Sequence, residues 1–144
     1  MNITRSKLLV GTFITGVAAI LLPSAQAVAY SSPPLELWAE AQSPATVQGK
    51  GVMVSLPIDY SCTGTGMSLN IQLLQKAGNG IASGYGYGNV SCDGATHRTQ
   101  VAVTPNAEGR VFSSGPATAR VEVWGCHEFY CGNDVFIKTV SLKK

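Results

Sequence analysis

The residues most able to do chemistry lie in one short segment, Cys126-His127-Glu128-Phe129-Tyr130-Cys131. Two thiolates and one imidazole this close together could bind a metal ion. Zinc, however, takes four ligands, usually from paired C-x2–4-C and H-x3–5-H spacings. Because an even number of cysteines in an exported chain is expected to be oxidised, we interpret the segment as a disulfide-closed loop that binds no metal.

Candidates for nucleophilic catalysis are few. A serine or cysteine nucleophile needs a base beside it, and the chain has only two histidines, His97 and His127, and no G-x-S-x-G motif. His97 shares its strand parity with Val101 and Val103. This parity predicts a structural histidine at the margin of the core.

Hydrolysis by paired carboxylates is the other catalytic alternative. It requires two acids about 5–10 Å apart across a cleft, and a small domain with short loops rarely provides one. The candidate acids are Asp59, Asp93 and Glu128. We therefore predict no catalytic residues, no cofactor and no enzyme activity.

The most unusual stretch is Ser83-Gly84-Tyr85-Gly86-Tyr87-Gly88. On a strand, the two tyrosines fall on one face and the three glycines on the other. The bare glycine backbone permits either close packing or a groove for a ligand. The tyrosines have two interpretations as well: a stacking platform for a sugar ring or flat ligand, or a cover for the edge of the core.

Both tryptophans, Trp38 and Trp124, fall on the polar parity of their strands. Exposed tryptophans often anchor interfaces, so either residue is a candidate contact. The predicted binding face consists of Tyr85, Tyr87 and Trp124.

Residues 1–27 have the plan of a secretory signal peptide. Arg5 and Lys7 give its N-terminal part a positive charge, and the apolar run from Leu8 to Leu22 has no ionisable group. Ala25-Gln26-Ala27 then provides a cleavage site for signal peptidase. The apolar run is too short for a membrane helix, which needs about 20 residues. We predict cleavage after Ala27, with Ala27-Val28-Ala29 as an alternative site two residues later. The expected product is residues 28–144, secreted to the extracellular space and without a stable membrane anchor.

Charge excludes two classes of partner. Removing residues 1–27 leaves eight basic and eight acidic residues, scattered along the chain. A neutral domain of this kind has no electrostatic footprint for nucleic acid or for an anionic membrane. We expect a single-domain monomer whose partner is a protein, a glycan or a small ligand.

Alternating hydrophobicity predicts an all-β fold. The alternation is clearest over residues 52–62, where every second residue is apolar or cysteine. Pro57 indicates an edge strand or a bulge there, because proline cannot donate a ladder hydrogen bond. The six other predicted strands are 35–41, 69–73, 81–89, 97–103, 117–123 and 135–142. Turn-forming clusters separate the strands, including Gly78-Asn79-Gly80 and Gly132-Asn133-Asp134. Seven short strands predict one immunoglobulin-like two-sheet sandwich.

The four cysteines are expected to form two disulfides, because an even number in an exported chain indicates bridges. If every connection reverses the chain, all four cysteines lie at one pole of the sandwich. This geometry favours Cys62–Cys92 with Cys126–Cys131. The other two pairings stay open, since all four sulfur atoms would be neighbours.

Short motifs spread over most of the mature chain resemble a group of small secreted actinobacterial proteins of unassigned function. The matching residues are Tyr60-x-Cys62, Gln75, Gly84, Cys92-Asp93-Gly94-x-x-His97, Phe112 and Gly115-x-Ala117-x-Ala119. Cys126-x4-Cys131 is also similar to the second disulfide loop of neocarzinostatin-type apoproteins, which are secreted sandwiches that bind enediyne antibiotics. Their first disulfide closes a short loop, whereas Cys62 and Cys92 are 30 residues apart.

The sequence thus predicts a secreted, non-catalytic binding or interaction module. The alternative is a small-ligand carrier like the enediyne apoproteins, and a secreted hydrolase is the third. A deep apolar pocket between the sheets would favour the carrier, and a flat aromatic surface would favour the binding module. A cleft that joins a histidine to a carboxylate and a serine would favour the enzyme.

Overall fold

The structure, a computed structural model, describes residues 35–144. The predicted signal peptide, residues 1–27, lies outside the described residues. Within these residues, eight strands and one 3-10 turn, Gly49–Gly51, follow in chain order. The strands are β1 (Leu37–Ala41), β2 (Ala45–Gln48), β3 (Met53–Cys62), β4 (Thr65–Ala77), β5 (Gly80–Asn89), β6 (Thr96–Pro105), β7 (Gly115–His127) and β8 (Tyr130–Lys143). Between residues 35 and 144 no helix is long and apolar enough to cross a membrane.

The strands close into a barrel-like ring. Their hydrogen-bonded order is β1-β3-β2-β8-β7-β4-β5-β6, and β6 pairs again with β3. The layers β1-β3-β6 and β5-β4-β7-β8 meet at two short seams, a parallel one between β2 and β8 and an antiparallel one between β5 and β6. The all-β class is confirmed, but these seams close the two predicted sheets into one mixed ring of seven strands, with β1 continuing the line of β2.

Period-two patterning places the core inside this ring. β3 alternates strictly between buried and half-buried residues over its whole length, because one face of the strand meets the opposite layer. The largest fully buried side chains include Leu56, Ile58, Leu69, Ile71 and Phe112. The interior is therefore filled by side chains.

Pro57 lies in an interior strand, so the predicted edge position is wrong. β3 pairs with β6 on one side and with both β1 and β2 on the other. The Pro57 carbonyl accepts from the Gln42 N–H at 2.8 Å, so the proline nitrogen also points toward the interruption between β1 and β2. Its missing N–H thus falls where the partner strand is broken at the cis Ser43–Pro44 bond.

The four cysteines lie at one pole of the ring, joined as Cys62–Cys92 and Cys126–Cys131. Both bonds are the pairs that the strand directions favour. Cys126 and Cys131 face each other across the β7–β8 hairpin, whose turn is Glu128-Phe129. The predicted turn at 132–134 is wrong, because these residues continue β8 and pair with β7.

Candidate binding face

One solvent-facing surface, which we call the outer face, is formed by β5, β4, β7 and β8. Their outward side chains line up in rows across the four strands. The first central row is Tyr87, Asn70, Glu122 and Val135. The second central row is Tyr85, Gln72, Arg120 and Ile137. Trp124 lies one row beyond Glu122 on β7, so all three residues of the predicted binding face share this surface.

Exposed apolar side chains are concentrated on the outer face. Among residues 35–144, twelve large hydrophobic residues are exposed, and seven of them lie here. They are Leu74, Ile81, Tyr85, Tyr87, Trp124, Val135 and Ile137. The outward side of β1-β3-β6, which we call the opposite face, has only Trp38 from that set. Exposed apolar residues grouped on one face are typical of interaction sites, so this asymmetry makes the outer face the candidate contact surface.

The two tyrosines of β5 point into solvent. Tyr85 is 45% exposed and Tyr87 is 75% exposed, so neither covers the core edge. The Gln72 side-chain amide donates to the Tyr85 hydroxyl at 3.0 Å. This bond holds the Tyr85 ring beside the centre of the face.

A neutral polar cluster occupies the middle of the outer face. Arg120 Nη1 lies 3.0 Å from Glu122 Oε2, and the Asn133 amide donates to Glu122 Oε1 at 3.0 Å. The opposite charges of Arg120 and Glu122 cancel. The face therefore presents aromatic and aliphatic groups around a polar centre without net charge.

The glycines of β5 serve close packing, and the interpretation of a ligand groove is wrong. A Cβ atom at Gly84 would lie 2.3 Å from the Thr104 carbonyl oxygen, and one at Gly86 would lie 2.6 Å from the Ala102 carbonyl oxygen. The backbone of β6 thus occupies the space that a groove would need. The absence of side chains on this side lets β5 approach β6 and form the antiparallel seam.

His97 lies at the margin of the core, against the Tyr60 ring at a centroid distance of 5.6 Å. Its Nε2 atom is 2.8 Å from Asp93 Oδ1. The bonds from His97 and from the Ala95 N–H lower the pKa of the Asp93 carboxyl below its usual value. The nearby Ser61 hydroxyl donates to the Gly94 carbonyl at 3.3 Å. The histidine therefore orders a loop and does not activate this serine.

The candidate acids have other partners. Arg98 Nη2 donates to Asp59 Oδ2 at 2.7 Å, and the hydrogen bond from Arg98 lowers the pKa of Asp59. Glu128 lies in the β7–β8 turn with a φ of 51°. Across residues 35–144, no three His, Cys, Asp or Glu side chains are grouped closely enough to hold a metal ion.

A cleft of about 540 Å³ opens between β1 and β8, at the edge of the outer face. Val135 and Ile137 of the outer face line it together with Ala119, Phe136 and Trp38. The Lys138 ammonium donates to Glu40 Oε1 at 2.6 Å and so joins β8 to β1 beside the cleft. Its size is within the range of small-ligand sites, about 300–1,000 Å³.

The aliphatic part of the outer face was not predicted from the sequence. Val135 and Ile137 are 37% and 68% exposed and extend the patch onto β8. A signal was present, because Val135, Phe136 and Ile137 place apolar side chains on both faces of one strand. Apolar residues on both parities indicate either a strand buried on both faces or a contact surface.

Comparisons with known proteins show no family for this chain. Neither a protein family nor a curated protein matches its sequence, so the two resemblances described above gain no support. A solved structure with similarity is AggA, the major subunit of aggregative adherence fimbriae type I from Escherichia coli. It is 12% identical, with a TM-score of 0.40, and the match covers 77% of this chain and 95% of that one. These values are too low to support an inference about function.

Proposed function

We propose that this protein is an exported, non-catalytic binding module that contacts its partner through the outer face. The observation that carries the proposal is the concentration of seven exposed large hydrophobic residues on this one surface. Interface cores are enriched in aromatic residues. The outer face has three exposed aromatic side chains, Tyr85, Tyr87 and Trp124, whereas the opposite face has one, Trp38.

Three observations support this function over catalysis. The His97 ring is engaged by Asp93 and Tyr60, Asp59 is paired with Arg98, and two cysteines of the Cys126–Cys131 segment are oxidised. The groups that a hydrolase or metal enzyme would use are thus occupied in structural contacts. Two disulfides also fit an oxidising compartment outside the cytosol.

We further propose that the ring is an immunoglobulin-like domain with closed seams. The order β5-β4-β7-β8 corresponds to the C′-C-F-G sheet of a variable-type domain, and β1, β3 and β6 correspond to strands A, B and E. In this frame the outer face is the broad side of the C′-C-F-G sheet. The short seams account for the barrel-like closure.

The test compares two matched variants of the exported protein. Tyr87→Ser with Ile137→Ser removes apolar area from the outer face, and Trp38→Ser removes it from the opposite face. Each tagged variant is incubated with the producer's culture supernatant, and captured proteins, glycans and small molecules are identified by mass spectrometry. A specific partner should be lost with the outer-face variant and kept with Trp38→Ser. A partner that survives the outer-face changes would refute the proposal.

A carrier is the second candidate, because the cleft between β1 and β8 has the volume of a small-ligand site. An apolar fluorescent dye would bind there with one-to-one stoichiometry, and Trp38→Ser would weaken it. Tyr87→Ser would leave dye binding unchanged, since two strands, β4 and β7, lie between Tyr87 on β5 and β8. The pair of variants thus separates the carrier from the binding module by opposite responses.

A further inference from the structure

The two central rows of the outer face are related to each other by residue type. Both rows contain one tyrosine, one side-chain amide, one charged group and one β-branched aliphatic residue, in the same strand order. The pairs are Tyr87 with Tyr85, Asn70 with Gln72, Glu122 with Arg120, and Val135 with Ile137. The only difference in kind is the sign of the charge.

This arrangement is self-complementary under a two-fold axis. The axis lies in the plane of the face, runs perpendicular to the strands and passes between the two central rows. Rotation about it places a second copy face to face with the first. Each strand then faces the same strand of the other copy, and the first central row of one copy faces the second central row of the other. In an isologous interface, residue i contacts residue j and residue j contacts residue i. Tyrosine then meets tyrosine, amide meets amide and aliphatic meets aliphatic, while Arg120 of each copy meets Glu122 of the other.

We propose that the outer face binds a second copy of this chain and forms a symmetric dimer, in place of the monomer expected from the sequence. The inference rests on the proposed function, because both assign contact to the same surface. Charge complementarity supports this occupant, since the central ion pair has both signs and the two-fold axis sets opposite signs against each other. A partner of unrelated sequence would need its own matching charges, whereas a second copy supplies them by symmetry.

The size of the face agrees with a reversible dimer. Four registered rows across four strands cover roughly 500 Å² of flat area, from the usual strand and residue spacings. Because side chains project from the face, its solvent-accessible area is larger than this flat area and approaches the roughly 800 Å² per partner of a standard interface. We expect a dissociation constant on the order of 1–100 μM, which is typical of the smaller specific interfaces.

Charge-reversal variants test the dimer directly. R120E gives one copy two acidic side chains at the centre of the face, and E122R gives one copy two basic side chains. Each variant alone should self-associate at least about tenfold more weakly than the parent, because like charges meet across the axis. An equimolar mixture of the two should recover association, because acidic and basic centres then face each other. Sedimentation velocity over a concentration series measures all three constants.

The mixture of R120E and E122R distinguishes an ion pair between two copies from the ion pair within one copy. Restoring the internal Arg120–Glu122 pair requires both changes in one chain, whereas the mixture restores only the contacts between chains. R98E on the opposite face is the matched control, since it breaks the exposed Asp59–Arg98 pair and should leave the dissociation constant within about twofold. Circular dichroism confirms that each variant is folded, and Tyr85→Ser with Tyr87→Ser provides a second, uncharged disruption of the same face.

Three results would overturn the dimer. They are a parent protein that stays monomeric up to about 1 mM, a dissociation constant unaffected by R120E, and a mixture that associates no better than its components. The proposed function survives these results if capture of another partner still depends on Tyr87 and Ile137. Loss of both the dimer and the face-dependent capture would refute both proposals.

Discussion

The side-chain amide of Gln75 forms two hydrogen bonds with the main chain of Ser113. Its Nε2 atom donates to the Ser113 carbonyl at 2.7 Å, and its Oε1 atom accepts from the Ser113 N–H at 2.9 Å. Gln75 is only 4% exposed, and Phe112, beside the bonded residue, is 2% exposed. The amide therefore holds the β6–β7 connection over the end of the core and satisfies two backbone groups there.

Replacement of Gln75 by leucine should destabilise the fold. The substitution removes two part-buried hydrogen bonds from the Ser113 main chain, and each lost hydrogen bond costs about 0.5–1.5 kcal/mol. We expect the free energy of unfolding to fall by about 1–3 kcal/mol in urea titrations. Gln100→Leu is the control, because Gln100 accepts only an exposed hydrogen bond from Ser55 and should cost about 0.5 kcal/mol or less. Equal losses for the two variants would contradict this role of Gln75.

Neighbouring residues of β5 should respond oppositely to substitution by alanine. Gly86→Ala places a Cβ atom 2.6 Å from the Ala102 carbonyl oxygen, so β5 and β6 must separate, at a cost of about 1–3 kcal/mol. Tyr87→Ala removes a side chain that is 75% exposed and should cost less than about 1 kcal/mol. Thermal unfolding at low protein concentration, where self-association is absent, measures both. A loss near 3 kcal/mol for Tyr87→Ala would instead indicate a core residue.

The two disulfides should contribute unequally to stability. Cys62–Cys92 closes a loop of 30 residues and Cys126–Cys131 a loop of 5. Loop-closure entropy predicts losses of about 3–4 and about 2 kcal/mol when each pair is replaced by alanine. Urea unfolding of the two double variants tests the order. A larger loss for the hairpin bridge would show that it stabilises the native state by more than chain entropy.

Protonation of Asp59 at acid pH should lower the free energy of unfolding. The hydrogen bond from Arg98 lowers the pKa of the Asp59 carboxyl, so the folded protein binds this proton less readily than the unfolded chain does. The resulting stabilisation is complete above the ordinary aspartate pKa of about 3.9. It is lost as the pH falls through the lower, folded pKa.

The variant Arg98→Gln tests this linkage. It should return the Asp59 pKa toward its ordinary value and flatten the corresponding part of the acid limb in a plot of unfolding free energy against pH. Lys138→Gln is the comparison variant. It removes the basic partner of Glu40 and only a weaker contribution of Lys138 to the low pKa of Asp59, so it should raise the pKa of Asp59 less than Arg98→Gln does. An Asp59 pKa that NMR titration finds unchanged in Arg98→Gln would refute the assignment.

Local patterning was sufficient to predict seven of the eight strands found between residues 35 and 144, and their buried faces. The alternation over residues 52–62 predicts β3 almost residue for residue, because a strand with one face on the core needs period two wherever it lies in the fold. The tyrosines of β5 were likewise placed on a common face by parity alone. The cysteine positions followed from the strand directions, since reversing connections return alternate strand ends to one pole.

Long-range pairing decided what the sequence could not. The missing N–H of Pro57 can be read from the sequence and predicts an edge strand. The break in the neighbouring strand that accommodates Pro57 lies at Ser43–Pro44, and only the strand pairing shows that the two are adjacent. The short strand β2 was missed because it is defined by its pairing with β3 and β8. The turn predicted at residues 132–134 is part of β8, because pairing with β7 overrides the local turn preference of Gly132, Asn133 and Asp134.

The candidate binding face was also predicted from the sequence only in part. Alternation puts Tyr85 and Tyr87 on one side of β5 and the glycines on the other, but it does not say which side meets water. The close approach of the β6 backbone to Gly84 and Gly86 decides this and turns both tyrosines outward. Whether Trp124 and Ile137 join them depends on the registers between β5, β4, β7 and β8. Those registers are set by hydrogen bonds between residues far apart in the chain, so only the tertiary structure assembles the outer face.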